Sequence, residues 1–194
     1  AGDPAAAWMF VEDALASSFT PAEVQLEIIL PAMRSVGEKW ASGEMGIAEE
    51  HLATAVARRC VSRLSPRFHR RGLTRGTVVV AMGPGEWHQL GAEILADLLR
   101  GENFRVLFLG ANTPPEAVSL ALERAGDPVA CCLAAMVSVD SLVAVTEVVG
   151  ASHPDTPLIV GGAAVASEGQ AKELGGTHFG ADLPSTVELV VSLA

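Results

Sequence analysis

The sequence lacks several features that would place it in common classes of protein. Its 194 residues contain no apolar run of the roughly 18 residues that a membrane-spanning helix needs. No charged-then-apolar leader with a cleavage site is visible either, so we expect a cytoplasmic location with no membrane contact. Because the first residue is Ala rather than Met, we expect a chain that is processed or cut from a longer one.

Cysteine and positive charge are also scarce. The chain has 3 cysteines, and two of them, Cys131 and Cys132, are neighbours whose side chains would point to opposite faces of a strand. No C-x-x-C spacing indicates zinc, so we predict reduced, buried thiols. With 13 Lys and Arg against 23 Asp and Glu, the net charge is −10. This acidity argues against direct nucleic-acid binding, which depends on cations that neutralise phosphates.

No pattern typical of a catalytic centre is visible. The chain shows no Ser-His-Asp order and no Walker A motif, and no G-x-G-x-x-G opens its first βα turn. We therefore expect a binding protein or sensor, with any chemistry supplied by a cofactor, rather than an enzyme in its own right.

Residues 1–65 have the pattern of a small helical bundle. Thr20-Pro21-Ala22-Glu23 carries the cap, the proline and the acidic residue of a helix start. The helix that follows is predicted to end near Trp40, and another is predicted from Ile47 through Leu64. Before them, a first helix is predicted to align its apolar residues at a spacing near 3.6, namely Trp8, Phe10, Val11, Leu15 and Phe19.

After a predicted linker at residues 66–76, residues 77–194 alternate between apolar, β-rich runs and helical patterns. The alternation predicts an α/β fold with a doubly wound, flavodoxin-like parallel sheet. The predicted strands are Thr77–Met82, Phe104–Leu109, Val129–Val137, Leu158–Val160 and Thr177–Phe179. The predicted helices are Leu90–Arg100, Pro115–Ala125, Ser141–Ala151, Ala166–Leu174 and Pro184–Leu193.

The most informative stretch is the run Glu86-Trp87-His88-Gln89-Leu90-Gly91, between the first predicted strand and its helix. A histidine there would lie at the carboxyl end of a parallel strand, where open α/β sheets place their ligands. A carboxylate two residues earlier can hydrogen-bond the imidazole and fix its tautomer, as is usual for a metal-bound histidine. Gly91 would let a bulky planar ligand approach the backbone.

This run resembles the D-x-H-x-x-G signature of cobalamin (vitamin B12)-binding domains, with Glu86 at the Asp position. The resemblance implies that His88 is the lower axial ligand of cobalt and that the whole run, Trp87, Gln89 and Leu90 included, contacts the cofactor. The family also carries an S-x-L triplet and a Gly-Gly pair. These fall at Ala134-Ala135-Met136, where the serine is missing, and at Gly161-Gly162. Ser138 lies four residues late for the serine role, and the pair is expected to flank the nucleotide tail.

Upstream, Trp40 is followed by nine residues and then by Glu50-His51. This spacing is similar to the W-x9-E-H motif of CarH-type photoreceptors, in which a helical cap covers the upper face of adenosylcobalamin. The resemblance implies that Trp40, Glu50 and His51 contact the upper ligand. The alternative for Trp40 is a core tryptophan at a helix end. Glu50 and His51 are neighbours on a helix, so we expect their side chains to diverge by about 100°.

One position departs from the CarH-type pattern. The residue after the motif tryptophan can be a histidine that ligates cobalt once light has expelled the adenosyl group, but here it is Ala41. We therefore expect a lit state without that second histidine ligand. Met45, His51 or water could take the position instead, and His51 is the most plausible of the protein donors.

The resemblance as a whole implies a cobalamin-dependent light sensor without the DNA-binding domain of CarH-type regulators. Photolysis would shift the cap and change contacts in a homo-oligomer, a dimer or tetramer, or with a downstream signalling partner or output domain. One alternative is a photoreceptor that also holds a bilin such as biliverdin as a second chromophore. The additional tryptophans Trp8 and Trp87 are compatible with this alternative. The other is a corrinoid protein of a methyltransferase system.

A basic cluster leaves two interpretations open. It is either a solvated helix end and linker, or a contact to a partner or to the corrin side-chain amides. Its members are Arg58, Arg59, Arg63, Arg67, His69, Arg70, Arg71 and Arg75.

Overall fold

A helical unit and an α/β unit follow one another along the chain. The computed structural model describes residues 2–194. It divides into one unit that ends at His69 and a second that comprises Arg70–Ala194. No helix in this described part of the chain is both long and apolar enough to cross a membrane.

The first unit consists of helices joined by short turns. Thr20 closes a capping box with Glu23, as the sequence predicts, and Ile47–Leu64 forms a helix with the predicted bounds. The helices are α1 (Pro4–Ala16), α2 (Pro21–Glu23), a π-helical segment (Val24–Ile29), α3 (Leu30–Ala41), α4 (Ile47–Leu64) and a 3₁₀ turn (Ser65–Phe68). The 3₁₀ turn occupies the start of the predicted linker.

The π-helical segment was not predicted. In it, the Leu30 N–H donates to the carbonyl of Gln25, five residues earlier, instead of four. Pro31 follows directly, and a proline has no N–H to donate and a ring that collides with the carbonyl four residues before it. Widening the preceding turn accommodates that ring, which explains why the helix continues through Pro31 instead of breaking.

The core of the helical unit differs in one respect from the predicted stripe. Trp8 and Val11 are buried, at 8% and 3% exposure, but Phe10 is 64% exposed. Trp8 and Val11 are three residues apart and share one face of α1, whereas Phe10 is two residues from Trp8 and falls on another face. The Arg63 guanidinium lies 3.7 Å from the centre of the Trp8 ring and covers one of its faces.

In the second unit, five strands of the described chain form one parallel sheet in the order β2-β1-β3-β4-β5. The predicted flavodoxin-like α/β fold is confirmed. The strands are β1 (Thr77–Met82), β2 (Arg105–Gly110), β3 (Ala130–Ala134), β4 (Leu158–Gly161) and β5 (His178–Gly180). The helices between and after them are α5 (Leu90–Gly101), α6 (Pro115–Ala125), α7 (Asp140–Ser152), α8 (Glu168–Glu173) and α9 (Leu183–Leu193).

Alternate residues of the strands supply two apolar cores, one on each face of the sheet. Val79, Ala81 and Cys131 pack on one face, and Val78 and Cys132 on the other. The two neighbouring cysteines therefore diverge as predicted, and all three cysteines are free and buried. Burial raises the pKa of the Cys132 thiol to about 12, which keeps it protonated and unreactive.

Strand β3 is shorter than predicted. It ends at Ala134 instead of extending to Val137. The amides of Met136 and Val137 turn away from the neighbouring strands and donate to the side chain of Glu86. The apolar composition of this segment could not reveal that its hydrogen bonds go to a carboxylate in another loop.

Candidate functional site

The loop between β1 and α5 lies where the sheet reverses its strand order. The chain passes from β1 to β2 on one side, and β3 then lies on the other side of β1. Such a switch point leaves a crevice at the carboxyl ends of the strands, since the two neighbouring loops diverge. Glu86 and His88 are in this loop, as the sequence predicts.

Glu86 holds the His88 ring. One carboxylate oxygen of Glu86, Oε1, accepts from the backbone N–H of His88 at 3.0 Å and lies 2.7 Å from Nδ1 of the His88 ring. The His88 side chain is nevertheless 57% exposed. Because a carboxylate can only accept, Nδ1 carries the proton, and the lone pair of Nε2 remains for a metal.

The other carboxylate oxygen of Glu86 binds the loop after β3. Oε2 accepts from the amides of Met136 at 2.7 Å and Val137 at 3.1 Å. Glu86 is only 3% exposed, and burial by itself raises its pKa. The hydrogen bonds from His88, Met136 and Val137 outweigh burial and hold the pKa of this carboxyl below its ordinary value. Glu86 is therefore a buried, ionised anchor at neutral pH.

Three further contacts join this loop to the residues that follow β2. The side-chain oxygen of Gln89 accepts from the Ala111 amide at 2.8 Å, and that of Asn112 accepts from the Gly85 amide at 2.9 Å. The backbone N–H of Asn112 in turn donates to the backbone carbonyl of Glu86 at 2.9 Å. Sequence reasoning missed Asn112. Its φ of 49° is a left-handed conformation that asparagine tolerates. The groups to which it hydrogen-bonds lie in another loop, so no local pattern pointed to it.

Apolar side chains near His88 are exposed to solvent. Trp87 is 67% exposed, Met136 38% and Val137 72%, whereas Leu90 is half-buried. Met136 and Val137 bind Glu86 through their amides, so their side chains belong to the same edge of the sheet as His88. Exposed apolar groups around a nitrogen with an available lone pair are typical of a surface that receives a large, partly apolar ligand.

The predicted glycines differ in whether the fold itself excludes a side chain at the position. A Cβ added at Gly91 would meet no heavy atom of the described residues within 4 Å. One added at Gly161 would collide with the backbone oxygen of Gly180, and one at Gly162, whose φ is +98°, with that of Ala135. Gly161 is thus needed for the close approach of β4 to β5, and Gly162 for that of its loop to the loop after β3. Gly91 has no such need and stays a candidate for ligand contact.

The triplet position and Ser138 lie around the end of β3. Ala134 is the last residue of that strand and is half-buried. Ser138 is exposed, and its hydroxyl donates to Asp140 at 2.9 Å at the start of α7. The hydrogen bond ties Ser138 to this helix start, so any contact with a cofactor would have to compete with it.

In the helical unit, Trp40 lies in the last turn of α3 and is 48% exposed, so the core alternative is wrong. Glu50 and His51 lie on α4, and the expectation that their side chains diverge is also wrong. Nδ1 of His51 lies 2.6 Å from Glu50 Oε2, because both side chains are long enough to bend together. Thr54 donates to the other Glu50 oxygen at 2.7 Å.

His51 therefore resembles His88 in its local chemistry. Its side chain is 71% exposed, and a carboxylate occupies Nδ1, which leaves Nε2 for a ligand. Ala41 ends α3 and is exposed, and the Met45 amide donates to the Lys39 carbonyl in the turn that follows. Ala41 has no side-chain donor atom, whereas His51 has a ring nitrogen with a lone pair.

Within residues 2–194, no group of three or more His, Cys, Asp or Glu is arranged to hold a metal ion by itself. A metal that arrives inside a macrocycle does not need such a group, since the macrocycle supplies most of its ligands and the protein adds an axial one. His88, with its buried carboxylate partner, fits that single axial role.

Comparison with known proteins shows the family of this chain. A family model described as "B12 binding domain" matches residues 76–182, and a second model with the same description matches residues 1–65. Among solved structures, the monomethylamine corrinoid protein of Methanosarcina barkeri superposes with a TM-score of 0.80 at 15% identity, over 94% of this chain and 88% of that one. At this identity the likeness shows the fold alone.

Two curated relatives have different functions. The HTH-type transcriptional repressor CarH of Myxococcus xanthus is 33% identical over 113 residues, which cover 58% of this chain and 37% of that protein. The trimethylamine corrinoid protein of Methanosarcina barkeri is 28% identical over 105 residues, covering 53% of this chain and 48% of that protein. The chain thus spans less than half the length of either relative.

Proposed function

We propose a light-sensing role for this chain, which belongs to the B12-binding domain family. In this role it binds adenosylcobalamin, with His88 as the lower axial ligand of cobalt and Trp40, Glu50 and His51 as contacts of the upper ligand. The proposal has two parts, the lower ligand and the upper face, and different residues support each.

The arrangement of Glu86 and His88 carries the first part. The His88 side chain is 57% exposed, and its Nδ1 lies 2.7 Å from a buried carboxylate, so the lone pair in this tautomer is on Nε2. A carboxylate on the far nitrogen makes an imidazole a stronger metal ligand and fixes its direction. The exposed side chains of Trp87, Met136 and Val137 and the open space at Gly91 fit a large macrocycle beside the ring.

The carboxylate–histidine pair on α4 supports the second part. A small upper ligand such as a methyl group needs no aromatic wall and no polar anchor, whereas a nucleoside offers a flat base and hydroxyls. Trp40 can stack on such a base, and Glu50 can accept from ribose hydroxyls. The 33% identity with a protein named CarH points the same way.

Adenosylcobalamin, when bound, supplies a cobalt–carbon bond that light can break. The chain has to hold the cofactor, exclude water and respond when the upper ligand leaves. His88 fixes the corrin to the α/β unit, while Trp40, Glu50 and His51 contact the adenosyl group only in the dark. Loss of these contacts in the light can shift the conformational equilibrium by no more than they contributed. The output would be a changed contact with another copy of this chain or with a signalling partner.

A second function has its own support. The 28% identity with a trimethylamine corrinoid protein favours a methyl carrier that serves partner methyltransferases. In such a protein His88 keeps its role, but Trp40, Glu50 and His51 have no adenosyl group to recognise.

Absorption spectra before and after green illumination separate the two functions. We expect green light to bleach purified protein loaded with adenosylcobalamin, and the apo protein to bind methylcobalamin more weakly than adenosylcobalamin. Tighter binding of methylcobalamin, together with remethylation of the reduced cofactor by methylamine donors, would instead establish the methyl carrier. The same preparation supplied with biliverdin tests for a second chromophore, which would add a red absorption band.

A further inference from the structure

The loop after β3 shares its anchor with the lower-ligand site. Four donors converge on the Glu86 carboxylate: the His88 amide and ring on Oε1, and the Met136 and Val137 amides on Oε2. Three of them are backbone amides, which can only donate. The His88 ring alone can change between donor and acceptor.

We propose that the Met136 and Val137 amides are positioning groups for His88, acting through Glu86 to set the direction of its ring before a cofactor binds, while the Glu86 carboxylate itself fixes the tautomer. The inference rests on the proposed role of His88 as a ligand and adds the loop of residues 135–139 to the machinery of that site. It also assigns a reason for glutamate, rather than a shorter acid, at position 86.

The length of the Glu86 side chain decides whether both loops can be reached. Aspartate is shorter by one methylene, about 1.5 Å. With the backbone fixed, an aspartate that keeps its contact to the ring would leave the Met136 and Val137 amides near 4 Å or beyond, outside hydrogen-bond range. Asp at 86 therefore keeps the ring but releases the loop.

The convergence of donors also predicts what glutamine would do. A glutamine has one accepting oxygen and one donating NH₂. With the NH₂ at the Oε2 position, it would face two backbone donors. At the Oε1 position it would face one backbone donor, and a ring whose Nδ1 can become an acceptor. The second orientation has fewer conflicts, so Glu86→Gln should move the His88 proton from Nδ1 to Nε2, the nitrogen that must ligate cobalt.

The loop is held from its far side as well. The Ala135 amide donates to the Gly161 carbonyl at 3.0 Å, and the Ala135 carbonyl accepts from the Ala164 amide at 3.1 Å. The amides of Met136 and Val137 therefore start from a backbone that β4 and its loop keep in place. Because this backbone is held, the two amides can fix the position of the Glu86 carboxylate instead of moving with it.

The test compares Val137→Pro with Val137→Ala in the apo protein. Both substitutions remove a side chain that is 72% exposed, but only proline removes the amide donor. Nitrogen-15 NMR of the imidazoles at a pH of about 8.5, where ordinary histidines are neutral, reports the tautomer of each ring. His51, with its own carboxylate, serves as the internal control.

We expect Val137→Pro to shift the His88 ring resonances and Val137→Ala to leave them as in wild type. We expect Glu86→Gln to invert the His88 tautomer, and Glu86→Asp to keep the tautomer while hydrogen exchange at Met136 accelerates about tenfold, as for a lost hydrogen bond of about 1.4 kcal/mol. His88 resonances that are identical in Val137→Pro and wild type, with an unchanged tautomer in Glu86→Gln, would overturn the inference.

Cobalamin titration separates this inference from the proposed function. If the NMR results are as expected, Val137→Pro should also weaken cobalamin binding by about tenfold relative to Val137→Ala. If the NMR results are as expected but neither wild type nor any variant binds cobalamin, the proposed function fails while the positioning of His88 stands.

Discussion

Replacing Gly91 by alanine should have opposite effects on the protein alone and on its cofactor complex. Gly91 lies in the first turn of α5, and an added Cβ meets none of the described residues within 4 Å. In a helix, alanine is favoured over glycine by about 0.5–1 kcal/mol, because glycine loses more backbone freedom on folding. We therefore expect the apo protein to gain up to about 1 kcal/mol, or roughly 2–4 °C in Tm for a chain of this size.

Cobalamin binding to the same variant, in contrast, should become weaker. If the open space at Gly91 is where the cofactor approaches the backbone, the methyl group of alanine overfills it. Overpacking of a fitted contact costs about 1–3 kcal/mol, which corresponds to roughly 5-fold to 150-fold weaker binding. A titration followed by absorbance, alongside a thermal melt of the apo protein, measures both quantities.

Gly162→Ala is the matched control, because here the protein itself excludes the side chain. Its φ of +98° and the backbone oxygen of Ala135 both oppose a Cβ, so the apo protein should lose about 1–3 kcal/mol. Should Gly91→Ala bind cobalamin as tightly as wild type, or destabilise the apo protein as Gly162→Ala does, our interpretation of Gly91 as a ligand-contact glycine would be refuted.

Three further substitutions test the rest of the site. His88→Ala should weaken cobalamin binding and shift the spectrum to that of a cofactor without a protein ligand; an unchanged spectrum and affinity would contradict ligation by His88. Trp40→Ala should reduce the preference for adenosylcobalamin over smaller upper ligands by about 1–3 kcal/mol, the contribution of an aromatic wall, and equal binding of all forms by wild type and variant would count against it. Ala41→His should give an illuminated product with the spectrum of two imidazole ligands, which wild type should not form readily; a stable product of this kind in wild type would make Ala41 irrelevant and direct attention to His51.

The elements of the fold were predictable because their signals are local. The strand Thr77–Met82 and the helices Ile47–Leu64 and Pro115–Ala125 have the bounds that their hydrophobic patterns and caps predict. Parallel strands buried on both faces leave little ambiguity, since almost every residue in them is apolar. The end of β3 was mispredicted, because the amides of Met136 and Val137 pair with a side chain fifty residues earlier.

The candidate site was predictable only where one loop contains all of it. The pairing of Glu86 with His88 follows from their spacing. The contacts of Glu86 to Met136, of Gln89 to Ala111 and of Asn112 to Gly85 join different loops, and no local pattern records them. Long side chains add a second difficulty, since Glu50 and His51 meet even though their backbone positions diverge on α4.

Lower ligation by His88 can be measured most directly by electron paramagnetic resonance of the cobalt(II) form. The unpaired electron of this form lies along the axis of the lower ligand, so a coordinating nitrogen splits each cobalt line. Protein labelled with nitrogen-15 histidine and loaded with unlabelled cobalamin should show doublets, because nitrogen-15 has spin one half. Triplets, which nitrogen-14 of the cofactor's own base produces, or lines with no nitrogen splitting, would contradict the assignment of His88 as the cobalt ligand.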